Sequence, residues 1–110
     1  MTATQSGAVS IQNLFVDASP PPTGERFDTL LEHKNLVIER ISSSSCIEPK
    51  QYVQPQDEWV QLVQGTAVIE IDGKTQPLQA GDYFFLPART PHSVKSVSDG
   101  AMWLAVHLHP

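Results

Sequence analysis

Apolar and polar residues alternate along most of this chain in short runs, and no stretch keeps a helical period for long. Leu36 to Ile41 sets Leu36, Ile38 and Arg40 on one side and Val37, Glu39 and Ile41 on the other, the signature of a strand. Trp59 to Val63, Thr66 to Ile71, Thr75 to Leu78, Tyr83 to Leu86, Ser93 to Val97 and Ala101 to Leu108 read the same way. Ile11 to Val16 has the apolar content of one more short strand. Phe27 to His33 is ambiguous: Phe27, Leu30 and Leu31 have helical spacing, but so short a piece makes a marginal helix. The breaks between runs are chemically marked. Ser19-Pro20-Pro21-Pro22-Thr23-Gly24 is an extended connector, because proline cannot donate to a ladder. Asp72-Gly73 is a hairpin turn that needs positive φ, Ala80-Gly81 and Ser98-Asp99-Gly100 are turns, and Pro87 to Pro91 is a loop bracketed by prolines. About eight strands at short, even spacing predict an all-β sandwich or barrel.

Composition narrows this further. A chain of 110 residues has room for one core, and 40% hydrophobic with 17% charged residues suits a folded domain. Residues 1–10 are small and polar, which predicts a flexible N-terminal tail ahead of a barrel over 11–110. The formal net charge of −5 argues against nucleic acid as a partner. No apolar run approaches the roughly 20 residues of a membrane span. Met1 to Ser10 lacks the cationic start and apolar run of a signal peptide, and Cys46, the single cysteine, excludes an internal disulfide. Together these predict a cytoplasmic protein. Cys46 is expected to be a small buried residue rather than a nucleophile.

The candidate chemistry lies in a spacing. Glu58 is followed by six residues and Gly65; Gly81 is followed by five residues and Pro87, and His92 comes five later. Each glycine bounds a strand, Glu58 opens one, and His92 follows the proline loop. In a small barrel such positions bring an acid and an imidazole to the mouth of the cavity.

On these residues the chain resembles the cupin superfamily over roughly residues 36–108. The first cupin motif runs Gly, five residues, His-x-His, three or four residues, Glu, six residues, Gly; Cys46 to Gly65 lies on that frame, with Glu58 and Gly65 matching. The second runs Gly, five residues, Pro-x-Gly, two residues, His, three residues, Asn; Gly81, Pro87 and His92 match within 81–96, while Arg89 and Ser96 replace Gly and Asn. The resemblance implies a single-domain cupin-type double-stranded β-helix, or jelly-roll barrel. It also implies a divalent metal (Zn, Ni, Fe or Mn) held by Glu58 and His92. The paired motif histidines, however, fall on Tyr52 and Gln54, and Cys46 replaces the opening glycine. Gln54 offers a carbonyl oxygen as a ligand, and Tyr52 a phenol to give or take a proton.

His107 is a candidate replacement ligand. Trp103, Ala105, His107 and His109 share one face of the last strand, but Met102, Leu104, Val106 and Leu108 on the other are at least as apolar, so periodicity leaves the inward face open. Two functions follow: a metal-dependent enzyme acting on a small polar substrate, or a metal-free cupin that binds or senses a small molecule. Either is compatible with a homodimer, for which Trp59, Trp103 and the N-terminal strand are candidate contacts.

Overall fold

Eight strands and no helix make up residues 9–110, the part of the chain described by the computed structural model. They are β1 (Glu25–His33), β2 (Leu36–Ser43), β3 (Asp57–Gln64), β4 (Thr66–Ile71), β5 (Lys74–Gln79), β6 (Tyr83–Leu86), β7 (His92–Val97) and β8 (Ala101–Leu108). With no helix among the described residues, none is long and apolar enough to cross a membrane. Residues 1–8 of the expected tail lie outside the described part.

Six of the expected strands recur as β3 to β8, and Leu36 to Ile41 as β2. Two expectations change. Ile11 to Val16 is not a strand but leads into a turn: the Asn13 side-chain carbonyl accepts from Phe15 N at 2.8 Å and Asn13 O from Val16 N at 3.2 Å. A side chain that satisfies the backbone locally removes the need for a ladder. The piece around Phe27 to His33, in turn, is the strand β1, paired along its length with β2. Its register shifts between Thr29 and Leu31, and this bulge disrupts the two-residue alternation that would have identified it.

All pairings are antiparallel, in a five-stranded sheet ordered β1-β2-β8-β3-β6 and a three-stranded sheet ordered β5-β4-β7. The two form a jelly-roll barrel whose core is built from inward residues such as Val60, Leu62, Ala67, Leu86 and Trp103. Trp103 is therefore interior, not a surface contact: it lies between Ile41 and Leu62 in register and donates from Nε1 to Ser43 Oγ at 3.2 Å. The outer face of the larger sheet holds two other features. Ile38, Val106, Trp59 and Phe85 stand in one cross-strand row. Buried Arg40 pairs with Asp28 at 2.8 Å and donates to the carbonyls of Leu14, Val16 and Asp17, tying the N-terminal segment to β2.

Candidate functional site

The register of the larger sheet decides which residues meet. Glu58 on β3 stands opposite His107 on β8 and opposite Leu86 on β6, so Glu58 and His107 share the inner face. Ala101, Trp103, Ala105 and His107 thus look inward along β8, all of them buried. Glu39 pairs with Ala105, two residues from His107, and this diagonal lets a long side chain reach across. Its Oε1 accepts from His107 Nε2 at 2.9 Å.

The second sheet supplies His92, at the start of β7. The segment carrying Tyr52 and Gln54 closes against it. Tyr52 and His92 exchange backbone hydrogen bonds at 2.8 and 3.1 Å, and Arg89 N donates to Gln54 O at 2.7 Å. The Tyr52 ring stacks on the His92 imidazole with centroids 5.8 Å apart. The five sequence-predicted residues Tyr52, Gln54, Glu58, His92 and His107 therefore line one cavity of about 90 Å³. Phe27, Ile41, Ile69, Phe84, Leu86 and Trp103 contribute to its apolar wall.

At the polar centre Glu58 lies between two imidazoles. Its Oε1 is 3.9 Å from His92 Nε2 and its Oε2 is 3.8 Å from His107 Nε2. Both separations exceed a hydrogen bond. Oε1 is buried and has no partner, a costly state for a carboxylate oxygen unless something else binds it. Burial pushes the Glu58 carboxyl above its usual range, against the opposing pull of His107 and His92. The hydrogen bond to Glu39 raises the His107 imidazole above its usual value. Burial, and then the charge of Glu25, raise the Tyr52 phenol, so it remains a donor at neutral pH.

Both rings are held from behind. His92 Nδ1 lies 2.9 Å from Thr90 O, which assigns the proton to Nδ1 and the lone pair to Nε2, facing Glu58. His107 Nδ1 lies 3.2 Å from Gln56 Nε2, consistent with an accepting Nδ1 and a proton on Nε2 for Glu39.

The structure thus brings the expected metal set of Glu58, His92, Gln54 and His107 to one cavity. Among the described residues, no group of three or more His, Cys, Asp or Glu side chains is arranged to hold a metal. Tyr52 and Gln54 replace two motif imidazoles, and Glu39 occupies His107 Nε2. Sequence reasoning passed over Glu39, Gln56 and Glu25. Glu39 had a signal, a carboxylate between Val37 and Ile41 on a strand face that is otherwise apolar. Gln56 and Glu25 had none. His109 stacks on His107 with centroids 6.2 Å apart but does not line the cavity. Cys46 is exposed rather than buried and lies outside the cavity.

Comparison with known proteins agrees with this architecture. The family model described as Cupin domain matches residues 41–107. The crystal structure of a protein from Ralstonia eutropha JMP134, provisionally assigned as a mannose-6-phosphate isomerase, is 36% identical; the match covers 93% of this chain and all 100% of that one, with a TM-score of 0.81. A conserved Streptococcus pyogenes protein of unknown function is 23% identical over 94% of this chain and 90% of its own, with a TM-score of 0.78. An RmlC-like cupin from Shewanella frigidimarina NCIMB 400 is 20% identical over 84% of this chain and 82% of its own, with a TM-score of 0.73. The last two likenesses carry the fold alone. No curated protein matches the chain.

Proposed function

The chain belongs to the cupin family, and from that premise we propose that it binds a small polar molecule in the Glu58 cavity without a metal ion, the ligand itself contacting Glu58 and His92. The observation that carries this reading is the buried, unpartnered Glu58 Oε1, 3.9 Å from the lone pair of His92 Nε2. That gap is too wide for a direct hydrogen bond and leaves both atoms free for one ligand atom. The chemistry available there is proton transfer. Burial makes the Glu58 carboxylate more basic and His92 is held in one tautomer, so each can take a proton from a bound group between them. Tyr52, kept protonated, is a further donor.

A second reading is favoured by one specific feature. His92 donates from Nδ1 to a backbone carbonyl and presents Nε2 to Glu58, the usual support of a metal-bound imidazole. In that reading Glu58, His92 and His107, with Gln54 as a further donor, hold a divalent Zn, Ni, Fe or Mn ion, and the protein is a metal-dependent enzyme on a small polar substrate. Such an ion would supply a Lewis acid. Glu39 would first have to release His107 Nε2.

Elemental analysis of tag-free protein, beside a Glu58→Ala/His92→Ala double variant, separates the two. We expect little metal in either protein, and saturable ligand-induced stabilisation of the chelator-treated parent. Near-stoichiometric metal in the parent, lost in the double variant, would overturn the metal-free reading. The same proposal includes a homodimer formed through the outer face of the larger sheet.

A further inference from the structure

The charge and hydrogen-bonding character of the cavity select a class of ligand. Three carboxylates line it, Glu25, Glu39 and Glu58, and no lysine or arginine does. Glu39 is matched by His107 at 2.9 Å, and Glu25 Oε2 accepts only a neutral hydroxyl, from Ser43 Oγ at 2.8 Å. Lys50 stands 5.4 Å from the Tyr52 ring centroid but does not line the cavity. The interior therefore carries an excess of negative charge in a setting of low dielectric, where such an excess acts strongly.

The hydrogen-bond inventory points the same way. Glu58 Oε1 is without a partner, its side chain only 8% exposed, and His92 Nε2 offers a lone pair. These acceptors call for a ligand rich in donors, and an ammonium group has three donors and no acceptor. The aromatic rings of Phe27, Tyr52, Phe84 and Trp103 line the same space, and their faces attract cations. The size is restrictive: about 90 Å³ is less than the roughly 150 Å³ that accommodates a benzene ring.

We propose that the cavity takes a small organic cation, a protonated primary amine of a few heavy atoms, with its ammonium group on Glu58 and its carbon chain against the aromatic wall. This rests on the reading of the cavity as a metal-free ligand site. It also separates this chain from phosphorylated substrates, since a phosphate would meet three carboxylates and no lysine or arginine in the cavity. The activity provisionally assigned to the Ralstonia protein is accordingly not carried over.

The test compares three molecules of similar size and different charge, n-propylammonium, propionamide and propionate, on the chelator-treated full chain at fixed ionic strength. Thermal unfolding and imidazole NMR shifts are the readouts. Propylammonium is expected to raise Tm saturably, propionamide to bind at least about tenfold more weakly, and propionate not at all. Glu58→Gln should weaken propylammonium binding by about tenfold or more. Glu25→Gln, outside the Glu58 cluster, should weaken it in the same direction and serves if Glu58→Gln fails to fold. Propionamide or propionate binding as tightly as the amine, or unchanged amine affinity in both variants, would overturn the inference and leave the pocket reading standing. If none of the three binds and the untreated protein retains one equivalent of divalent ion, the pocket reading fails with it.

Discussion

Glu58 and His107 both hold protons more tightly in the folded chain than in the unfolded one, and this sets the sign of the pH dependence. Burial keeps the Glu58 carboxyl above its unfolded value of 4.5, so folding stability falls as pH rises through the window above that value. His107 is raised above 6.5 by Glu39, so its contribution is fully present below that pH and is lost as pH rises through its folded value. Glu58→Gln stays uncharged. We expect this variant to be as stable as the parent near pH 4 and more stable than it at pH 7. Urea denaturation at the two pH values checks it, and a variant less stable at pH 7 would contradict the assigned burial effect. Glu39→Gln removes a charge-assisted hydrogen bond from a mostly buried imidazole and should cost about 1.5–3 kcal/mol near pH 6, with a smaller loss above pH 8. NMR titration should show the His107 transition moving down in that variant.

The strands and turns carry their own consequences, seen in the two motif glycines. Gly65 has φ +92°, and a methyl group there would stand 2.8 Å from Ala101 Cβ, 2.9 Å from Ala101 Cα and 2.7 Å from Ser98 Oγ. The crossing from β3 into β4 needs both a left-handed backbone and bare space against β8. Gly81 has φ +100° but nothing within 4 Å of such a methyl. Gly65→Ala should therefore cost about 2–4 kcal/mol, backbone strain and overpacking together, and Gly81→Ala only about 1–2 kcal/mol from strain. Equal losses in calorimetry would mean that the contact with Ala101 adds nothing. The β1 bulge acts at this scale too. Pairing with β2 holds as a strand a segment whose local spacing also fits a helical turn.

For the molecule as a whole, part of the outer face of the larger sheet is left exposed among the described residues. Tyr83, Phe85 and Leu108 are exposed there, and Trp59 packs on Tyr83 with ring centroids 5.6 Å apart. Apolar surface grouped in this way is what the proposed homodimer would bury. Light scattering is expected to give a dimer for the parent and a monomer for Phe85→Glu, with ligand binding in the cavity unchanged because Phe85 and Leu86 point to opposite faces of β6. A monomeric parent would remove the homodimer from the proposal.

The fold was legible in local chemistry. Alternation over Thr66–Ile71 and Ala101–Leu108, the Asp72-Gly73 turn and the placing of Gly65, Gly81 and Pro87 are properties of neighbouring residues, and they predicted strands and breaks close to those observed. The pairing of Glu58 with His92 at one cavity was legible for the same reason, through a fixed motif spacing. What sequence left open depends on contacts between residues distant along the chain. The inward face of β8 was undecided because both faces are apolar, and only the register with β2 and β3 turned His107 towards Glu58. The contact of Glu39 with His107 was out of reach for the same reason: the two lie 68 positions apart and meet only because β2 and β8 are adjacent. The alternation of side chains along a strand assigns each residue to a face, but the sheet as a whole decides which face is the interior and which side chains meet there.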